Sequence, residues 1–127
     1  MTARARKQPE RGGRGRNTRK RQASGPGWAL VGDAGYFKDP ITAHGITDAL
    51  RDAEILARAV AAGGPEAVRR YQAERDELSL RLFRVTGRMA SFDWTADQIG
   101  EYLLELGEAM AEETAAMTGG RLELASA

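Results

Sequence analysis

Apolar positions along the chain follow two periods. Trp28-Ala29-Leu30-Val31 is a short continuous run closed by Gly32, the pattern of a buried strand over about 28–32. From Gly45 onward the period is helical. Ile46, Ala49, Leu50, Ala53, Leu56, Ala57 and Val60 share one stripe and predict a helix over about 46–62. The small side chains of Ala43, Ala49 and Ala53 allow close packing against a sheet or a ligand. Gly63-Gly64 stops this helix, and Pro65 suits the first position of the next.

A second helix is predicted over about 65–90, with Val68, Tyr71, Leu78, Leu82, Val85 and Met89 recurring at steps of three, four or seven. Arg69, Arg70, Glu74, Asp76 and Glu77 fall mostly on its other faces and read as a solvated surface. After Ser91-Phe92-Asp93-Trp94, Thr95 caps a third helix with Gln98 in a capping-box arrangement, and Trp94 and Ile99 are spaced for a hydrophobic staple. Ile99, Leu103, Leu106 and Met110 carry its apolar stripe, bordered by Tyr102. Gly119-Gly120 is expected to end it and leave the last seven residues loose. The fold class is therefore mostly α: one short strand followed by three helices. A single strand cannot satisfy its own backbone groups. No second strand is evident downstream, so the pattern reads as a fragment of an α/β fold.

Charge divides the chain in two. Residues 1–26 carry a net +8 and residues 27–127 a net −7. The first 26 residues contain no Val, Ile, Leu, Phe, Tyr or Trp, so nothing offsets the entropy of ordering them, and a disordered basic leader is expected. Two origins fit it: a basic arm contacting nucleic-acid phosphates through residues 4–21, or a mis-assigned start. The composition breaks at Gly27, where the patterned part of the chain begins, which favours the second. The chain has no Cys, which removes disulfides, thiolate metal sites and Cys nucleophiles and fits a cytoplasmic setting. No apolar run reaches the roughly 20 residues of a membrane span, and no secretory h-region opens the chain. His44 is the only His, with no partner ligand set in the sequence, so no metal site is assigned. It reads as a loop residue near a ligand. Trp28, Phe92 and Trp94 read as core or staple residues.

The stretch VGDAGYFKDPITAHGITDALRDAEIL, residues 31–56, carries the remaining signal. Gly32 permits a tight turn out of the strand and close approach of a ligand. Asp33 places a carboxylate acceptor at the corner. Across the loop, the amides of Gly45, Ile46 and Thr47 stand free at a helix N-terminus, where they favour negative charge.

The ordered set Leu30-Val31, Gly32-Asp33-Ala34, Pro40, Gly45 and Asp52-Ala53 resembles the second flavin-binding motif of para-hydroxybenzoate hydroxylase-like FAD-dependent monooxygenases. The helices carrying RYQAERDELSLRLF and SFDW are also similar to the C-terminal helices of that superfamily. The resemblance covers about 27–117. It implies an FAD-binding role in which Asp33 meets the ribitol, the Gly45–Thr47 amides face the N1/O2 edge of the flavin, and Pro40 and Ile41 neighbour the isoalloxazine ring. It assigns no catalytic acid or base, since the flavin carries the chemistry. The intact parent would use NAD(P)H and O₂ on a small organic substrate. Gly35-Tyr36 stands where the family often has Ala-His, and Thr42 where it often has Gly. Asp48 reads as a helix-start charge and Asp52 as the family's structural acid. The Gly-x-Gly-x-x-Gly that wraps the pyrophosphate is not among these 127 residues, nor is a substrate sheet. The chain thus reads as the C-terminal part of an FAD-binding domain, 27–127, inactive alone. The competing reading is a non-enzymatic helical module that docks or self-associates through its unpaired strand and apolar stripes and carries a basic nucleic-acid arm.

Overall fold

A computed structural model describes residues 19–125 of the chain. It is mostly helical. Four two-residue strands, β1 (Arg19–Lys20), β2 (Ser24–Gly25), β3 (Trp28–Ala29) and β4 (Tyr36–Phe37), precede three helices, α1 (Gly45–Ala62), α2 (Ala67–Ala90) and α3 (Ala96–Ala125). No described helix is long and apolar enough to cross a membrane.

The strands form two antiparallel pairs. β2 and β3 make a hairpin with Ser24 opposite Ala29, and β1 pairs with β4, with Arg19 opposite Phe37. The expected strand over 28–32 is therefore shorter than its apolar run, and Gly32–Ala34 instead forms a 3-10 turn. Its partner comes from upstream. Residues 19–26 were expected to be part of the leader, yet Ala23 and Ser24 are buried. Gln72 of α2 holds them, its Oε1 accepting from the Ala23 amide and from Ser24 Oγ, each at 3.0 Å. One long polar side chain fixes a segment that has no bulky apolar residue of its own. Residues 1–18 of the leader lie outside the described residues.

The helix boundaries follow the sequence signals closely, except at the C-terminus. Thr95 and Gln98 form the capping box at the start of α3: the Thr95 amide donates to Gln98 Oε1 at 2.8 Å and the Gln98 amide to Thr95 Oγ1 at 3.3 Å. Trp94 donates its indole N–H to the Met89 carbonyl at 2.9 Å, satisfying the end of α2. Gly119-Gly120 does not stop α3, which continues through Ala125. A glycine pair weakens a helix interior but terminates it only where the chain turns into a left-handed conformation. On α3, Leu103 faces solvent and Ala109 takes its place in the core with Leu82, Val85 and Met89.

The largest departure is the rotation of α1. Most of its apolar stripe faces outward, Ile46 being 80% exposed, Leu50 69% and Val60 56%, while Leu56 packs half-buried against the core. The buried face is Asp48, Arg51, Asp52, Ile55 and Ala59. Only Ile55 and Ala59 join an apolar cluster there, with Ala23 and Tyr71. The rest of that face is charged, and its partners decide the rotation, as described below.

Gly35-Tyr36 is explained by the same interior. Tyr36 is buried, with the Arg51 and Arg75 guanidinium carbons 5.7 and 5.3 Å from its ring centroid. A Cβ at Gly35 would lie 2.7 Å from Arg75 Nη1 and 3.2 Å from the Leu30 carbonyl oxygen. Arg75 is fully buried, and the Leu30 carbonyl belongs to the backbone and cannot swing aside. Replacing Gly35 with Ala is expected to cost about 1–3 kcal/mol through overpacking, read as a lower urea midpoint with an unchanged m-value. An unchanged midpoint would contradict this packing.

Candidate functional site

The Gly32-Asp33 corner and the start of α1 face each other across an open groove of about 660 Å³. Val31, Gly32, Asp33, Ala43, Gly45, Ile46, Ala49 and Leu50 line it. Gly32 has φ +55°, in the left-handed region, and a Cβ there would lie 3.0 Å from Ala49 Cβ. Glycine at 32 and alanine at 49 together let the corner sit directly on α1. Asp33 is exposed at the rim, and its Oδ1 lies 3.7 Å from where a Gly45 Cβ would stand.

His44 precedes α1 without capping it through its side chain, and the first amide with a backbone acceptor is Asp48, donating to the His44 carbonyl at 3.0 Å. The three amides before it have no intrahelical acceptor. The groove thus joins an exposed carboxylate, an uncapped positive helix end and an apolar wall. Of the residues named from sequence, Gly32, Asp33, Gly45 and Ile46 come together here. Pro40 and Ile41 sit on a separate 3-10 turn, capped by Asp39 and exposed, and neither they nor Thr47 line the groove. Thr42, on that turn, meets Thr86 Oγ1 of α2 at 3.5 Å.

Behind the groove, on the inner face of α1, lies a buried ionic cluster centred on Arg51. Arg51 donates Nη2 to Tyr36 OH and to Asp52 Oδ1, both at 2.6 Å, and Nη1 to Asp48 Oδ1 at 3.0 Å. It also donates to Glu113 of α3. Glu113 Oε2 lies 2.6 Å from His44 Nε2. Lys38 Nζ approaches Asp48 Oδ2 at 2.6 Å as a close ion pair, although its geometry is not that of a hydrogen bond. Asp52 turns its second oxygen to the Gly32 amide at 2.9 Å.

Burial sets the electrostatics of these groups. It raises the Asp52 pKa, against the pull of Arg51 and the Gly32 amide. It lowers Lys38 despite Asp48. For Arg51, burial acts to lower the pKa, but Tyr36 and Asp52 outweigh it and the charge is held firmly. His44 is pushed below its usual value by burial, with Asp48 opposing and Lys38 and Arg51 reinforcing. A neutral imidazole protonated on Nε2 fits the contact, because an ionised Glu113 only accepts.

His44, Asp48 and Glu113 bring donor atoms within 4.8 Å of one another, as a metal-binding set would. Their carboxylate oxygens are already engaged, those of Asp48 by Arg51 and Lys38 and those of Glu113 by Arg51 and His44. An added cation would have to displace two fixed ones, so the cluster reads as an ionic core.

Sequence reasoning missed Tyr36, Lys38, Arg51, Arg75 and Glu113 as parts of this interior. Two signals were available. Glu113 continues the α3 stripe of Leu106 and Met110 at helical spacing. Arg75 does the same between Tyr71 and Leu78 on α2. A charged residue on an apolar stripe marks a buried charge that needs partners.

Comparison with known proteins gave no match: no family model, curated protein or solved structure is similar enough to carry an assignment.

The cluster makes stability depend on pH in a stated direction. A lowered His44 pKa means that the unfolded chain takes up a proton first as pH falls below the ordinary value of 6.5. His44 therefore contributes stability that is full above about pH 6.5 and declines below it. The stability difference between wild type and His44→Gln, from urea melts, should be flat above that pH and shift toward the variant below it. A difference that stays constant down to pH 5 would contradict the shift.

Proposed function

We propose that residues 27–127 form the C-terminal side of a flavin site, in the manner of para-hydroxybenzoate hydroxylase-like oxidoreductases. The observation that carries this reading is the Asp33 carboxylate facing the uncapped start of α1 across the groove. The donor set suits the group. Asp33 accepts from polyol hydroxyls, and a carboxylate is a strong acceptor for them. The amides of Gly45 and Ile46 and the positive end of α1 stabilise negative charge at an electron-rich ring edge. Val31, Ile46, Ala49 and Leu50 offer an apolar wall for a flat aromatic ring and keep water from it. Bound there, FAD supplies the redox and oxygen chemistry, with NAD(P)H as reductant and a small organic molecule as substrate in the intact parent. The groove holds no residue placed to act as an acid or base on a substrate other than Asp33, whose role here is binding.

No Gly-x-Gly-x-x-Gly strand–turn–helix occurs in the 127 residues, so the pyrophosphate has no comparable cradle here. Affinity for FAD is therefore expected to be weak and turnover absent in this chain by itself. Titration with FAD, followed by flavin fluorescence, should give saturable binding. Asp33→Ala should weaken it about tenfold, the scale of one hydrogen bond to a charged acceptor. No binding at millimolar FAD, or equal binding by the variant, would overturn the reading. NADPH or NADH oxidation by the chain with added FAD would contradict the expected inactivity.

The outward stripe of α1 favours a second reading, a helical module that associates with itself. Ile46, Leu50, Ala53, Ala57 and Val60 repeat at alternating steps of four and three, the spacing of a helix-pairing seam. Sedimentation of the wild type should then show a dimer, and Leu50→Lys, at a 69% exposed position, should return it to monomer without loss of helix. A monomer at high concentration removes this reading.

A further inference from the structure

Both rims of the groove are held from behind by one carboxylate on α3. From Glu113, one branch runs to His44 Nε2 at 2.6 Å, the residue directly before Gly45 and α1. The other runs to Arg51, from Arg51 Nη2 to Asp52 Oδ1 at 2.6 Å, and from Asp52 Oδ2 to the Gly32 amide at 2.9 Å. The first branch ends at the helix start and the second at the Gly32-Asp33 corner. Glu113 lies 69 residues from His44 and 62 from Arg51 in sequence, and it is fully engaged and buried. The remaining charged and polar groups around the path are Tyr36 and Lys38 from β4 and its loop, Asp48 from α1, and Arg75 from α2. Asp48 also reaches both branches, its amide donating to the His44 carbonyl and its carboxylate accepting from Arg51, but it does so from within α1, whereas Glu113 joins them from α3.

The geometry points to Glu113 as a positioning residue that sets the separation and orientation of the two rims, so that ligand binding at the groove is coupled to the seating of α3. The ligand part rests on the flavin reading; the positioning part does not. Apolar contacts could hold α3 against α2 without specifying where Gly32 and Gly45 stand. Directional bonds through His44, Arg51 and Asp52 do specify it. By linkage, a ligand that needs the rims in place must in turn strengthen the docking of α3.

Amide hydrogen exchange in the full chain, with residue resolution by NMR, tests this. The amides to read are Gly32, which donates to Asp52, and Asp48, the first bonded amide of α1. Glu113→Ala should speed exchange at both by about tenfold. Glu113→Gln, which keeps an oxygen for Arg51 and can donate to His44 Nε2 once the neutral imidazole moves its proton to Nδ1, should restore most of the protection. Met89→Ala is the control. It loosens the apolar α2–α3 contact with Leu82, Val85 and Ala109 and leaves the polar path intact. It should change Gly32 and Asp48 no more than it changes the rest of α1.

Unchanged exchange at Gly32 and Asp48 in Glu113→Ala, or the same local effect in Met89→Ala, would overturn the proposal. If Glu113→Ala does not fold, Glu113→Asp reads the same amides: drawing the carboxylate back by one methylene should speed both, and no change would be equally decisive against it. FAD titration of the same variants is a separate arm. Where wild type binds FAD, Glu113→Ala should weaken it about tenfold and Met89→Ala should not; equal weakening by both would remove the coupling. Where wild type does not bind FAD, the flavin reading fails and the exchange data alone decide the role of Glu113.

Discussion

Burial of the Arg51 guanidinium is the constraint on which the rest of this structure depends. A guanidinium cannot shed its charge on burial, so the interior must be built around it. The fold does so with acceptors from separate parts of the chain: Tyr36 from β4, Asp48 and Asp52 from α1 itself, and Glu113 from α3. These acceptors converge only if α1 presents its charged face inward. The rotation of α1, the depth of Tyr36 and the seating of α3 are therefore one decision.

That decision turns the apolar side of α1 outward. A stripe containing Ile46, Leu50 and Val60 would ordinarily drive burial at about 25 cal/mol per Å². Inside, however, stand the carboxylates of Asp48, Asp52 and Glu113 with Arg51 and Lys38 as their partners, and a charge left there unpaired would cost several kcal/mol. Paired with one another they stay; separated by rotating α1, each would be stranded. The first turns of the stripe, Ile46, Ala49 and Leu50, then become one wall of the groove, with Asp33 and the helix start at its end. Exposed apolar surface of this kind is what a bound ligand or a second helix would cover.

The helices were legible because length and period agreed. α2 differs by two residues at its start, and the capping box of α3 could be read directly from Thr95 and Gln98. The corner was legible too, since Gly32 sits at a positive φ and Asp33 lies beside Gly45. What could not be read was which face of α1 is buried. Helical periodicity identifies an apolar face but carries no information about long-range charge partners, and Glu113 is 62 residues away from Arg51. The same limit hid the upstream strands. Their anchor is Gln72, a polar residue on a helix expected to bury only its apolar stripe. Asp52, read as a structural acid by resemblance, has a definite structural task in its bond to the Gly32 amide. Asp48 is more than a helix-start charge, because it is buried between Lys38 and Arg51.

An apolar interior behind α1 would give comparable or greater stability, since replacing buried ion pairs by well-packed hydrophobic groups is often neutral or stabilising. What apolar packing would not supply is direction. Leu against Leu tolerates a helix rotated or shifted by a fraction of a turn, whereas Arg51 reaches Tyr36, Asp52, Asp48 and Glu113 together in one setting only. The groove needs that definition. Its corner touches α1 through Gly32 and Ala49 with no slack, a Cβ at 32 falling 3.0 Å from Ala49. Its acceptor and its helix end must also face the same space. An ionic core on the inner side of α1 and an open groove wall on the outer side are thus complementary: the first holds the helix in register so that the second can be left uncovered.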